Sequence, residues 1–251
     1  MGVQTSTICT RSIVVGVTPI EPDEARLPDW QIAPREYARQ EQRRGRRHAY
    51  EQLDPTRTAL VVVDMVPFFA TGFKTFHGIV PNINRLASAL RAHGGVVAWV
   101  LPQVSPPTAW AEEFYGPDVA RLFSASGGTG TFRERLWPAL DVADQDLFVE
   151  KRSTSAFFPG FSALPEHLQE KGIDTVLITG TVTNVCCEAS ARDAATLGFR
   201  VVMVADGNAA GSNEVHNATL HTVYRTYGDV RPTDEILSLL EQAALFGPDH
   251  D

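Results

Sequence analysis

Three polar residues follow predicted buried strands, and their side chains are types that proteins use for nucleophilic catalysis. Asp64 ends the run TALVVVD, Lys151 ends the run DLFVEK, and Cys186 lies on the turn after TVLITG. In an open parallel sheet, ligands bind outside the carboxyl ends of the strands, where the strand order reverses. A thiol, a carboxylate and an ammonium brought together there would act as nucleophile, base and charge stabiliser.

The cysteine has two interpretations. If Thr183 or Asn184 caps the following helix, Cys186 lies in its first turn, where free backbone N–H groups favour a thiolate and can bind an oxyanion. Alternatively, Cys186 is a small buried hydrophobic residue, as many unpaired cysteines are. Cys187 lies about 100° further round the helix, so we assign it to packing.

The acid and the lysine are equally ambiguous when each is taken alone. Asp64 is expensive to bury without a partner, and it either accepts backbone amides or takes the thiol proton. Lys151, one of only three lysines, either pairs with Glu150 at the surface or holds Asp64 in place. Taken together, the three residues favour catalysis.

The surrounding elements alternate between apolar strand patterns and helical patterns. This alternation predicts an α/β fold with three layers: a six-stranded, mainly parallel sheet with helices on both faces. The predicted strands are 58–64, 96–101, 146–151, 175–180, 200–205 and 229–231, and the main helices are 80–93, 161–171, 184–197, 213–227 and 233–244.

Aromatic residues near the strand ends are candidates for a substrate pocket. The segment 102–130 is rich in Pro, Gly and Ser and is long for a simple connection, which predicts short helices and a wall of a binding site. Core packing is the alternative for each aromatic. The predicted pocket residues are Phe68, Phe69, Trp110, Phe157 and Phe158.

The charge is unevenly distributed along the chain. Residues 1–57 carry net +1 and residues 58–251 carry net −9. Residues 1–57 also mix Pro and charge with little periodicity, and the pattern changes at Thr58, which predicts an N-terminal extension followed by one domain. The extension contains a predicted helix near 34–50 whose Arg residues alternate with Glu, which favours a solvated helix over an anion-binding patch. The overall acidity argues against nucleic-acid binding.

Composition also suggests where the protein resides. No run approaches the length of a membrane span, so no membrane association is predicted. Three cysteines cannot form a disulfide framework, which favours a reduced, cytoplasmic protein.

Three segments resemble the isochorismatase-like cysteine hydrolase superfamily over residues 58–242: VVVDM, EKRSTSAFFPG and TGTVTNVCCEASARDAATLGFRVVMVADGNAA. The resemblance implies a six-stranded parallel sheet and a catalytic triad of Asp64, Lys151 and Cys186. It further implies a cis peptide between Thr181 and Val182, and an oxyanion hole formed by the backbone N–H groups of Val182 and Cys186.

The departures from the superfamily pattern narrow the function. Val66 stands where many relatives carry Gln, and the segment LPQVSPPTAW lacks the His of metal-dependent nicotinamidases. No metal and no cofactor are therefore predicted. Isochorismatases proper lack the nucleophilic Cys, so Cys186 points to hydrolysis of a C–N bond.

The sequence thus predicts a cysteine amidohydrolase that cleaves a small amide, ureido or lactam substrate through a thioester. A streptothricin-type lactam hydrolase is an alternative, because the net charge of −9 over residues 58–251 suits a cationic antibiotic. A non-catalytic binding or assembly module on the same fold is a second alternative. We expect a homo-oligomer, either a dimer or a tetramer.

Overall fold

The structure, a computed structural model, describes residues 25–72 and 74–246. Residues 1–24 of the predicted extension, with Cys9, lie outside the described residues. Within them, none of the helices has the length and apolar character needed to cross a membrane.

A six-stranded sheet forms the centre of the molecule, and its strand order is β3-β2-β1-β4-β5-β6. Every neighbouring pair is parallel, so the predicted sheet is confirmed and contains no antiparallel strand among the described residues. The strands are β1 Thr58–Val63, β2 Val96–Pro102, β3 Leu147–Lys151, β4 Thr175–Thr181, β5 Arg200–Ala209 and β6 Asp229–Arg231.

Helices cover both faces of this sheet. All six residues of β1 are buried, and alternate side chains enter the two cores, as expected of a central parallel strand. Leu60 and Val62 face a core shared with the helices 74–92 and 233–246, whereas Val61 and Val63 face a core shared with the helices 164–170, 188–196 and 213–226. The helices are α1 Pro34–Arg44, α2 Pro67–Ala70, α3 Lys74–Ala92, α4 Ala109–Tyr115, α5 Pro117–Ser124, α6 Phe132–Arg135, α7 Leu164–Glu170, α8 Glu188–Thr196, α9 Asn213–Thr226 and α10 Thr233–Phe246.

The helix α3 begins at Lys74, six residues before the predicted start at position 80. Pro81 lies inside the helix, so a full turn and more of helix precedes the proline. Phe76, Ile79 and Ile83 are fully buried and share one helical face, so packing outweighs the hydrogen bond that proline cannot make.

The described part of the extension, residues 25–57, packs against α9 and β6. The backbone N–H of Ala33 donates to His221, the Tyr224 hydroxyl donates to the carbonyl of Arg47, and His48 lies 3.0 Å from Asp229. Arg residues of α1 and the turn after it pair with Glu36 and Glu41. The predicted helix near 34–50 ends at Arg44, and it is solvated on one side only, because Glu36 and Gln40 are buried and Gln40 donates to the carbonyl of Tyr224.

The strand order reverses between β1 and β4, which are hydrogen-bonded neighbours. Helical connections leave a crevice at such a point, outside the carboxyl ends of the strands. The fold therefore places the residues after β1 and those after β4 on opposite sides of one crevice.

Candidate active site

Asp64 follows β1 directly, and its backbone is held on both sides. Its N–H donates to the carbonyl of Val100, and its carbonyl accepts from the Thr181 hydroxyl at 2.7 Å. Asp64 has φ of +53°, in a region that Asp tolerates better than most residues. The side chain is 1% exposed and lies on the floor of the crevice.

Lys151 ends β3, two strands away, and reaches across the end of β2 to the same point. Its Nζ lies 2.9 Å from Oδ2 of Asp64 and 3.6 Å from Sγ of Cys186. The ammonium also donates to the carbonyls of Ser153 and Thr154, each at 3.1 Å. Because the loop after β3 folds around it, the lysine keeps its hydrogen bonds although it is 4% exposed.

Cys186 lies in a π-helical turn, Thr183–Cys187, that precedes α8. The prediction of one regular helix from 184 was wrong at this end, because the N–H of Cys187 reaches back five residues to the carbonyl of Val182. The expected side-chain cap is also absent: Val182 occupies the N-cap position and makes no side-chain hydrogen bond there. Single π turns often occur at functional sites. The peptide bond between Thr181 and Val182 is cis.

The electrostatics of the three side chains are set mainly by burial. Burial and the charge of Asp64 raise the pKa of the Cys186 thiol to about 12. Burial raises the pKa of Asp64 too, although the charge of Lys151 opposes the rise. For Lys151, burial lowers the pKa, but Asp64 and Cys186 outweigh it and hold the pKa above its usual range.

The resting site therefore contains a thiol beside a carboxylate–ammonium pair. The expectation that the start of the helix favours a thiolate was wrong for the site without substrate. Burial and the charge of Asp64 raise the pKa of the thiol more than the backbone N–H groups lower it. Cys187 is fully buried in the core, in agreement with a packing role.

Two supporting contacts of the cysteine turn were not predicted from the sequence. Nε2 of His216 lies 3.0 Å from the carbonyl of Ala205, so Nε2 carries the proton and Nδ1 accepts from the Thr183 hydroxyl at 3.0 Å. Ser190 donates to the carbonyl of Cys186 at 2.6 Å. A serine four residues after the cysteine on a helix is the one local signal for such a contact.

A cavity of about 710 Å³ opens above Asp64, Lys151 and Cys186. Its far wall is built by α4, α5 and the chain between β2 and α4, as predicted for the segment 102–130. The other lining residues are Phe69, Pro102, Gln103, Ser105, Pro106, Pro107, Thr108, Trp110, Ala111, Tyr115, Ala120, Phe123, Ser124, Ser126, Arg152, Ser153, Thr154, Val182, Asn184, Val185, Gly211 and Val215.

Of the five predicted pocket aromatics, the structure brings Phe69 and Trp110 to the cavity. Phe68 does not line it but packs behind the wall, edge-on to Phe69. Phe157 is fully buried in the core, and Phe158 lies on the surface at 48% exposure, so neither lines the cavity. The loop that surrounds the Lys151 ammonium turns both side chains away.

Tyr115 and Phe123, which the sequence analysis did not single out as pocket residues, line the cavity instead. They contact each other edge-on at 5.3 Å between ring centres. Both lie within the segment predicted as a wall, but only the packing of α4 on α5 decides which of its aromatics face inward.

The net negative charge is not concentrated in the cavity. Among the lining residues that the structure describes, Asp64 is the only acidic one, and Lys151 compensates its charge. Among the described residues, no group of three or more His, Cys, Asp or Glu side chains is arranged to hold a metal ion.

Comparisons with known proteins agree with this arrangement of elements. Residues 58–235 match the model of the isochorismatase domain. The chain belongs to the isochorismatase family. An uncharacterized isochorismatase family protein of Escherichia coli O157:H7 is 32% identical, over 75% of this chain and 99% of the relative. A crystal structure of a cysteine hydrolase from Pseudomonas syringae pv. phaseolicola, 28% identical, superposes with a TM-score of 0.69 over 78% of this chain and 98% of its own.

Isochorismatase-family relatives of this chain include amidases. The ureidoacrylate amidohydrolase of Acinetobacter baylyi is 28% identical, over 76% of this chain and 86% of the relative. The N-carbamoylsarcosine amidase of an Arthrobacter species is 26% identical, over 76% of this chain and 74% of the relative. Both names describe enzymes that hydrolyse C–N bonds.

Proposed function

We propose that the protein is a cysteine amidohydrolase that cleaves the C–N bond of a small amide, ureido or lactam substrate through a thioester on Cys186. The observation that carries this proposal is the contact of Sγ with a buried carboxylate–ammonium pair at the base of an open cavity. The amidases among the relatives support the same bond class.

In the first half of the reaction, Asp64 accepts the thiol proton and the sulfur attacks the substrate carbonyl carbon. Because burial raises the pKa of Asp64, the difference between the pKa values of the carboxyl and the thiol is smaller, and proton transfer is easier. The carbonyl electron pair moves to oxygen, and the backbone N–H groups of Val182 and Cys186 receive that oxyanion. Asp64 then passes its proton to the nitrogen, the C–N bond breaks, and ammonia or an amine leaves.

In the second half, water replaces the departed nitrogen above the thioester. Asp64 takes a proton from the water, whose oxygen attacks the carbonyl carbon. The C–S bond breaks, the acid leaves, and the sulfur recovers its proton from Asp64. Throughout, the Lys151 ammonium keeps Asp64 in position and offsets the negative charge that moves between carboxylate, sulfur and oxyanion.

Replacement of the nucleophile tests the proposal. We expect Cys186→Ala and Cys186→Ser to lower kcat for amide hydrolysis by about 10³-fold or more, because no other thiol among the described residues reaches the cavity. Ammonia or amine release by the purified variants measures this.

The neighbouring cysteine supplies a matched control. Cys187→Ala removes a thiol that is buried in the core and does not line the cavity, so turnover should persist while stability falls modestly. Full activity of the Cys186 variants would contradict the mechanism. Absence of turnover by the wild-type protein on every class of amide would instead favour a binding module.

A further inference from the structure

The cavity offers little compensation for a charged substrate. Asp64 and Lys151 neutralise each other, and within residues 25–72 and 74–246 the only other charged lining residue is Arg152. One of its N–H groups is already used, because Nη2 donates to the carbonyl of Gly160 at 2.8 Å, and Cζ lies 5.2 Å from the centre of the Phe161 ring. A substrate carboxylate would have to share this exposed guanidinium, and a substrate ammonium would find only the carboxylate that Lys151 already pairs. Either charge would therefore lose more hydration than it regains.

The wall opposite the nucleophile is aromatic. Trp110 stacks on Phe114 with an interplanar angle of 8° and contacts Tyr115 edge-on. Tyr115 in turn contacts Phe123, which packs edge-on against Phe68. Trp110 lines the cavity yet is 62% exposed, a large apolar surface that a ligand would cover.

The cavity is larger than the smallest amides require. About 710 Å³ lies within the range of sites that enclose drug-sized ligands. Uncharged hydroxyl and amide groups, such as those of Ser126 and Asn184, remain to orient the polar end of a substrate.

From this lining we infer the substrate class: an uncharged carboxamide whose acyl group is apolar and at least as large as an aromatic ring. The acyl group packs against Trp110, Tyr115 and Phe123, and the amide lies over Cys186. This inference rests on the proposed amidohydrolase activity. It adds a preference for uncharged substrates, whereas the net charge of residues 58–251 favoured a cationic one. Trp110 is its specificity-determining residue.

Three amides of similar shape separate charge from size. Para-toluamide is neutral, terephthalamate carries a carboxylate in place of the methyl group, and para-(aminomethyl)benzamide carries an ammonium. We expect kcat/KM for ammonia release to be higher for para-toluamide than for either charged analogue by about tenfold or more. We also expect it to exceed that of acetamide, which leaves the aromatic wall uncovered.

A variant pair assigns the preference to the wall. Trp110→Ala should lower the ratio of kcat/KM for para-toluamide to that for acetamide by about fivefold or more. The exposed side chain makes a folded variant the expected outcome, which its melting temperature checks. Phe158→Ala, an aromatic truncation on the surface outside the cavity, should leave the ratio unchanged.

Calorimetry on the Cys186→Ala protein separates this inference from the proposed activity. A lower Kd for para-toluamide than for both charged analogues supports the substrate class even if no amide is turned over. Turnover with equal or better use of terephthalamate keeps the amidohydrolase and overturns the inference. Preference for the ammonium analogue also overturns it, in favour of a cationic substrate held against the aromatic rings.

Discussion

Single residues in this protein owe their chemistry to what surrounds them. Cys186 is a weak acid because it is buried beside Asp64, and the Lys151 ammonium, 2.9 Å from Asp64, opposes the rise that burial causes in the pKa of that carboxyl. A second titratable group, His216, is buried behind the cysteine turn and is kept neutral there, since burial lowers its pKa to about 4.

His216 makes stability depend on pH. In the unfolded chain its pKa is about 6.5. Between pH 6.5 and 4 the imidazole is therefore protonated in the unfolded state but neutral in the folded state. Stability should therefore fall as the pH is lowered through this window, by on the order of 3 kcal/mol from this group. His216→Gln should flatten the dependence, as measured by urea unfolding at a series of pH values.

His167 provides the comparison for that experiment. Its side chain is 47% exposed, so His167→Gln should retain the wild-type pH dependence. Identical curves for the His216 variant and the wild-type protein would contradict the assignment.

At the scale of elements, β1 and β4 must approach closely for Asp64 and Cys186 to meet. Gly180, near the end of β4, has φ of +112°, and a Cβ at this position would lie 2.1 Å from the carbonyl oxygen of Val63. Glycine is the residue that satisfies both conditions. The close approach of β1 and β4 therefore depends on glycine at position 180.

Gly180→Ala should force β1 and β4 apart and lower the free energy of unfolding by about 2–4 kcal/mol. It should also lower turnover, because Val63 immediately precedes Asp64. Urea unfolding and ammonia release measure the two effects.

Gly172→Ala isolates the conformational part of that loss. Gly172 has φ of +71° but no atom within 4 Å of an added Cβ, so its replacement should lower stability by only about 1 kcal/mol. Equal losses for the two variants would show that the contact with Val63 is unimportant.

At the scale of the whole molecule, the N-terminal extension and the acidic domain form a continuous packed surface where both are described. Residues 25–57 cover α9 and β6, and His48 lies 3.0 Å from the fully buried Asp229. The expected homo-oligomer stays a prediction.

Deletion of residues 1–57 should destabilise the protein much more than deletion of residues 1–24. The longer deletion leaves Asp229 without His48 and uncovers Tyr224, so we expect a further loss of about 3 kcal/mol or more, or roughly 6–12 °C in Tm. Thermal unfolding of the two truncated proteins measures the difference. Equal melting temperatures would mean that residues 25–57 contribute no stability.

The pattern of apolar residues was enough to predict the sheet and which three polar residues lie at its carboxyl edge. Continuous β-branched runs specify buried parallel strands, and a parallel sheet brings strand ends to one edge whatever the details of packing. For this reason the positions of Asp64, Lys151 and Cys186 at one edge of the sheet could be predicted. The predicted strand boundaries differ from the observed ones mainly at the end of β5, which extends to Ala209.

The acidity of the cysteine, the π turn that carries it and the lining of the cavity could not be predicted, because they depend on how distant parts of the chain pack together. A pKa depends on burial and on charges from distant parts of the chain, and no local pattern reports either one. Likewise, Phe157 and Tyr115 are both aromatic residues near strand ends, but one enters the core and the other lines the cavity. The direction of each side chain follows from the packing of loops and helices against one another, which sequence spacing does not determine.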